Sequence, residues 1–168
     1  MNRYQLVLIQ PKGFVFVEAV CEVTECLQFA FAEMGIPFTA SINKIDAGAA
    51  PIIFGAHHLM PESAARLPAN TIIYNMEQLL PGDPWCTESY LQLLGRFRVW
   101  DNHQHNIAVL KQRGFHHAAH VPVGYMPQMT RIAAQSEDVD ILFYGVITDH
   151  RSRVLKTIAR DWRQRVLR

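Results

Sequence analysis

The hydrophobic pattern of this chain alternates between short apolar runs and longer amphipathic stretches. The short runs predict six strands: Tyr4–Ile9, Phe38–Ile42, Pro51–Phe54, Asn70–Asn75, Phe97–Asp101 and Ala118–Val123. Most of these runs are nearly continuous in apolar residues, which is typical of strands that are covered on both faces. The pattern therefore predicts a mostly parallel sheet.

The amphipathic stretches predict helices between these strands. Residues 16–34 place Val20, Val23, Leu27 and Phe31 at intervals of three and four, which is a helical spacing. Further helices are predicted over 60–67, from the cap Thr87 to about residue 94, and from a cap at 101 or 102 to Gly114. Strands that alternate with helices predict an α/β, Rossmann-like domain over residues 1–125, with helices on both faces of the sheet.

The hydrophobic pattern changes after residue 125. Residues 126–138 lack periodicity and are predicted to form a linker, whereas 139–144 form another apolar run and 151–166 an amphipathic helix. A lone strand would expose an unpaired edge and the helix an apolar stripe. We therefore expect residues 139–168 to pack against the first domain or a partner subunit.

The charge distribution limits the possible partners, and the cysteine content indicates the cellular compartment. The 168 residues carry a net charge of +1, but residues 151–168 hold seven Lys/Arg and one Asp, which leaves the remainder at −5. Nucleic-acid binding by this basic helix would weaken steeply with salt; docking on the acidic remainder is the favoured interpretation. Three cysteines without a CxxC motif indicate reduced thiols in a cytoplasmic protein, and no segment has membrane-spanning length.

The topology predicts where a site would lie. Ligands of open parallel sheets bind beyond the carboxyl ends of the strands. The polar residues that follow the predicted strands are Lys12, Gly13, His57, His58, Asn75, Glu77, Asp101, Asn102, His103 and Tyr125. A histidine or a buried carboxylate can accept a hydroxyl proton. Glu77, His57 and His58 are thus the candidate catalytic bases, and the others are candidate substrate-binding residues.

Structural roles remain open for several of these residues. Either histidine of the pair can be a satisfied core residue, Glu77 can accept backbone N–H bonds in a turn, and Asp101 can cap a helix. The clusters at 103–105 and 116–120 flank one helix about 16 Å long, too far apart to share a zinc ion. No metal and no cofactor are therefore expected.

Five segments together resemble one protein family. They are IIFGAHHL (52–59), LPANTIIYNMEQL (67–79), VWDNHQHNIAVLKQRGF (99–115), HVPVGYMP (120–127) and DVDILFYGVITDHRSRVL (138–155). In this order they resemble bacterial glycosyltransferases and glycosyltransferase-like proteins with two Rossmann domains (GT-B). The resemblance implies an acceptor-side first domain and, from 139 onward, the opening strand and helix of a truncated second domain. Asp101-Asn102-His103 departs from the family, in which Asp-Tyr-Ser is expected.

The resemblance implies the acceptor-side half of a sugar-nucleotide-dependent transferase. The implied partners are a sugar-nucleotide donor, a sugar or protein acceptor, and either a separate donor domain or a second copy of the chain. Because the sequence given ends at Arg168, before most of the donor-binding domain that the resemblance implies, little activity is expected from this chain alone. The main alternative is a non-catalytic, degenerate module that binds a partner or small ligand; a small hydrolase or nucleotide-binding enzyme would rest on fold analogy alone.

Overall fold

The structure, a computed structural model, describes residues 3–13, 17–136 and 141–161. The chain divides into two compact units, Met1–Thr130 and Arg131–Arg168. The strands are β1 (Tyr4–Leu8), β2 (Phe38–Ile42), β3 (Ala50–Phe54), β4 (Ile72–Asn75), β5 (Arg98–Asp101) and β6 (Ala118–His120). The α-helices are α1 (Val17–Glu33), α2 (Pro61–Ala65), α3 (Glu88–Arg96), α4 (Gln104–Gln112) and α5 (Asp149–Asp161).

All six strands belong to one parallel sheet, in the order β2-β1-β3-β4-β5-β6. The predicted fold class is thereby confirmed. The chain moves outward from β1 to β2 and then continues with β3 on the other side of β1. Parallel sheets open a crevice at such a reversal, beyond the carboxyl ends of the two diverging strands.

Alternate strand residues face the two sides of the sheet. One cluster contains Val7, Ile53, Ile73 and Val99 together with core residues of α3 and α4. The other contains Leu6, Ile52, Phe54 and Tyr74, with Phe31 and partly buried residues of α1. The helices therefore cover both faces, and burying each large aliphatic side chain stabilises the fold by about 1.5–3 kcal/mol.

The helix ends agree with the predictions except at one cap. The Thr87 hydroxyl accepts the N–H of Tyr90 at 3.2 Å, and Gly114, with φ 84°, follows the end of α4. However, α4 is capped by neither residue 101 nor 102, because the Nδ1 of His103 accepts the N–H of His105 at 3.2 Å. Asp101 lies below the cap and accepts the N–H of His103 instead.

Several strand ends differ from the predictions by one or two residues, and two predicted strands differ more. Strand β6 stops at His120 rather than at 123, and Pro122 has no N–H with which to extend the pairing. In the predicted strand 139–144, residues 139 and 140 lie outside the described residues, and 141–144 contain only a single bridge residue, Leu142.

The second unit contains helix α5, which begins two residues before the predicted start at 151. Its predicted continuation to 166 and the predicted start of α1 at residue 16 lie outside the described residues. The packing predicted for 139–168 stays a prediction. Among the described helices, none is both long and apolar enough to cross a membrane.

Gly55 links the ends of β1 and β3 at the point where the sheet order reverses. Its φ is 71°, and a Cβ built there would lie 2.9 Å from the carbonyl oxygen of Ile9. The N–H of Ile9 in turn donates to the Phe54 carbonyl at 2.9 Å. Only glycine combines this backbone conformation with so close a contact.

We predict that Gly55→Ala lowers the free energy of unfolding by about 3 kcal/mol, since it adds backbone strain and a steric clash. Gly82→Ala separates the two effects, because Gly82 has φ 86° with nothing within 4 Å of its Cβ position. We expect that control to cost about 1 kcal/mol. Urea unfolding measures the free energy of unfolding of both variants. Equal losses of stability would rule out a clash between the added methyl group and the carbonyl oxygen of Ile9.

Candidate functional site

The carboxyl edge of the sheet is organised by one buried carboxylate, Asp101. Its Oδ2 accepts a bond from the Nδ2 of Asn75 at 2.6 Å, and its Oδ1 accepts bonds from the Nδ2 of Asn106 at 3.1 Å and the N–H of His103 at 2.8 Å. Asp101 has no accessible surface. Burial raises the pKa of Asp101, and the hydrogen bonds from Asn75, His103 and Asn106 oppose that rise.

Asn75 and Asn106 also hold the loop after β4 through hydrogen bonds to its backbone. Asn75 accepts the Tyr90 hydroxyl at 2.7 Å and the N–H of Glu77 at 3.2 Å. The carbonyl of Glu77 accepts bonds from the Nδ2 atoms of Asn75 at 3.0 Å and Asn106 at 2.9 Å. Asn106 also accepts the N–H of Leu79 at 3.0 Å. The backbone of Glu77 is therefore held on both its N–H and its carbonyl.

The side chain of Glu77 meets His57, which lies in the short 3₁₀ turn after β3. The Nδ1 of His57 is 3.2 Å from the Oε1 of Glu77, and the side chains are 8% and 25% exposed. Burial and the neighbouring His58 lower the pKa of His57 to about 4, whereas burial and Asp83 raise the pKa of Glu77. His57 is therefore neutral at pH 7, and the contact is a hydrogen bond rather than an ion pair.

Aromatic rings cover this pair. The His57 ring lies 3.8 Å from that of His58 and 4.6 Å from that of Trp85, and His58 is 5.2 Å from Trp85, all between ring centroids. Burial lowers the pKa of His58 as well. The stack keeps water from most of the His57 ring, which explains why a neutral imidazole is preferred.

The larger of two clefts at this edge has a volume of about 660 Å³ and lies where the sheet order reverses. Its polar lining comes from the loops after β1 and β2 and from the segment after β3, and consists of Gln10, Asn43, His58, Ser63 and Arg66. Its apolar lining consists of Ile9, Pro11, Ile45, Leu59, Met60 and Leu67. A volume of this size suits a small organic ligand.

The smaller cleft has a volume of about 290 Å³ and lies between α2 and α3. His57 lines it together with Thr87, Ser89, Tyr90 and Arg96. The neighbouring histidines thus contribute to different clefts. His57 combines the smaller cleft with the Glu77 contact, and His58 lines the larger cleft.

The structure brings together five of the predicted site residues. His57 and His58 stack, Glu77 contacts His57, and Asn75 and Asp101 support Glu77 from below. Asn75 and Asp101 have no accessible surface and hold the loop after β4; their substrate-binding role stays a prediction.

The other predicted site residues are not part of this group. His103 acts as a helix cap, and Tyr125 is 75% exposed with its hydroxyl 2.9 Å from that of Thr130. Lys12 and Gly13 are exposed in the loop after β1, and Asn102 is half-buried. Their substrate-binding role stays a prediction.

Several residues of the site were not predicted from the sequence. Asn106 lies on the buried side of α4 beside Ile107, and an asparagine at a core position of a helix is the signal that could have indicated its role. Tyr90 occupies an apolar position of α3, so its hydroxyl gave no distinct pattern. Trp85 and Arg66 follow no motif.

The described residues contain no group of three His, Cys, Asp or Glu side chains that could hold a metal ion. Cys21, Cys26 and Cys86 are free thiols. Comparisons with protein-family models, curated proteins and solved structures find no match to this chain. The geometry of the site therefore carries the functional argument.

We predict that Asp101→Ala lowers the free energy of unfolding by about 3 kcal/mol or more, because the buried amides of Asn75 and Asn106 and the partly buried N–H of His103 lose their acceptor. Asp46→Ala is the matched control, since Asp46 is one-third exposed and pairs with Lys44 at 3.1 Å and Arg3 at 3.6 Å. Exposed pairs of this kind contribute less than about 1 kcal/mol. Urea unfolding compares the variants, and a loss at Asp101 no larger than at Asp46 would contradict the network.

We predict that stability falls as the pH drops from 6.5 to 4, since the unfolded chain protonates His57 in this window and the folded protein does not. The effect amounts to at most about 3 kcal/mol. Glu77 acts in the opposite direction, because its raised pKa adds stability in acid that is lost as the pH rises.

The variant His57→Gln keeps Glu77, so its comparison with the unmodified chain isolates the histidine. We expect its free energy of unfolding to depend less on pH between 4 and 6.5. His116→Gln, in an exposed loop, serves as the control. Urea titrations at four pH values test this, and an unchanged slope in His57→Gln would overturn the assignment.

Proposed function

We propose that this chain acts as the acceptor-side domain of a glycosyltransferase-like protein, with His57 as the base and Glu77 as its partner. The observation that carries the proposal is the 3.2 Å contact between a neutral, buried imidazole and a carboxylate at the carboxyl edge of a parallel sheet. The ordered resemblance of five sequence segments to GT-B proteins supports the same function.

The chemistry follows from the proton positions. With Glu77 ionised, the hydrogen on the Nδ1 of His57 is donated to the carboxylate, and Nε2 keeps a lone pair. The acceptor hydroxyl transfers its proton to Nε2 while its oxygen bonds to the anomeric carbon of the sugar. The bond from that carbon to the phosphate oxygen breaks, and the nucleoside diphosphate leaves. Glu77 stabilises the imidazolium that forms.

The smaller cleft supplies groups suited to a saccharide. Thr87 and Ser89 bring hydroxyls to it, and Gln92 brings an amide. Such neutral groups exchange hydrogen bonds with sugar hydroxyls, and the cleft places them beside His57. The domain contributes the acceptor and the base, and the donor is held elsewhere.

We predict that methyl glycosides shift the backbone amide signals of Thr87, Ser89 and Glu77 in NMR titrations. In the presence of common nucleotide sugars, we expect slow release of nucleoside diphosphate that depends on the glycoside. His57→Phe should reduce this release by at least about a hundredfold, since it removes the base. Glu88→Gln is the control, because Glu88 is exposed and pairs only with Arg113 among the described residues.

Loss of release in His57→Phe but not in Glu88→Gln supports the proposal. The proposal is refuted if the unmodified chain shows no glycoside binding at these amides and no glycoside-dependent release.

A non-catalytic binding module is the second candidate, and the 8% exposure of the His57 side chain favours it. In that case the larger cleft is the principal site, and none of the described residues that line it is acidic. Ligand affinity that is unaffected by His57→Phe, without any release of nucleoside diphosphate, distinguishes the module from the transferase.

A further inference from the structure

We propose that the larger cleft binds a small organic monoanion, with Arg66 facing the negative group and the apolar residues around Leu59 holding an apolar body. This site is separate from the His57–Glu77 pair and does not depend on sugar transfer. The inference rests on the position of the cleft, its charge, its rigid rim and its apolar lining.

The position follows from the topology. The cleft is lined by residues that follow β1, β2 and β3, and the sheet order reverses between β1 and β3. Loops that diverge from this point leave a crevice that neither of the flanking crossover helices fills. Its volume of about 660 Å³ lies well within the range of small-molecule sites.

The charge of the cleft favours an anion. Arg66 is the cationic residue among those that line it, and in the described part of the chain it has no ion-pair partner, although Glu62 lies four residues earlier. Asp46, in the same loop as Asn43, is already paired with Lys44 and Arg3. A single guanidinium without a carboxylate partner selects a monoanion over a neutral or cationic ligand.

The rim of the cleft is rigid before any ligand binds. Asn43 has φ 54°, and its side chain bonds both backbone groups of Gln10: Oδ1 accepts the N–H at 2.8 Å and Nδ2 donates to the carbonyl at 2.7 Å. On the other side, Gly55 allows the close approach of Ile9. These contacts fix the loops after β1, β2 and β3 against one another, so little order has to be gained on binding.

The apolar lining determines the body of the ligand. Ile9, Pro11 and Ile45 lie on one set of loops, and Leu59, Met60 and Leu67 on the segment around α2. Met60 is 65% exposed, so a ligand that covers it removes apolar surface from water. A flat aromatic or aliphatic body with one carboxylate group matches this arrangement.

Three probes of nearly equal shape test the proposal. Indole-3-acetate, indole-3-acetamide and tryptamine carry charges of −1, 0 and +1, and NMR titration of the unmodified chain measures their binding through the amides of Asn43, Ser63 and Arg66. We expect the acetate to bind about two- to fivefold more tightly than the amide, as for one solvent-accessible charge pair, and tryptamine to bind most weakly.

The variant Arg66→Gln should remove the preference for the acetate without reducing the affinity for the amide. Arg66 is exposed, so the variant keeps the fold, which its melting temperature verifies. Arg113→Gln, on an exposed residue paired with Glu88, should leave all three affinities unchanged. Equal affinities for the three probes, binding elsewhere on the chain, or a preference that survives in Arg66→Gln would overturn the proposal.

Discussion

A carboxylate without solvent contact determines the local structure of this molecule's site. Asp101 would be unstable at the end of β5 without donors, and it receives three, from β4, from α4 and from the backbone at the start of α4. Because these donors belong to different elements, the ends of β4, β5 and α4 can move only together. Removing any one donor leaves the buried carboxylate with two hydrogen bonds instead of three, at a position without accessible surface.

The hydrogen-bond network extends from Asp101 through two asparagines to Glu77. The side-chain amides of Asn75 and Asn106 also donate hydrogen bonds to the backbone carbonyl of Glu77. The Tyr90 hydroxyl donates a further bond to the Oδ1 of Asn75. Burial raises the pKa of Tyr90 far above its ordinary value, so its hydroxyl stays a donor. The side chain of Glu77 is consequently aimed at His57 from a backbone that is already held, rather than from a free loop.

The fold itself was readable from the sequence, and the site only in part. Runs such as residues 51–54 and 4–9 are apolar on both faces, and such runs pair in parallel, so the sheet and its carboxyl edge followed directly. The adjacency of His57 and Glu77 followed from that edge. The roles of Asp101 and His103 could not be predicted from that edge, since either residue can cap a helix. Only the burial of Asp101 at the end of β5 assigns the cap to His103.

Contacts between residues distant in the sequence account for the features of the site that could not be predicted. Asn106 and Asn75 are 31 positions apart, and nothing in either segment indicates that both bond Glu77. The separation of His57 and His58 into two clefts depends on Gly55 and on the 3₁₀ turn that follows it. The strand predicted at 139–144 rested on hydrophobicity alone, and its described residues, 141–144, contain a single bridge residue, Leu142.

The separation of the two histidines explains how one edge of a sheet can present two different chemistries. His57 is covered by rings and bonded to a carboxylate, so its cleft combines a proton acceptor with neutral hydroxyls. His58 lines a cleft whose charged residue is Arg66 and whose lining contains no acid. The two proposed roles therefore use different groups: Arg66 attracts an anion at the larger cleft, and the neutral imidazole of His57 accepts a proton at the smaller one.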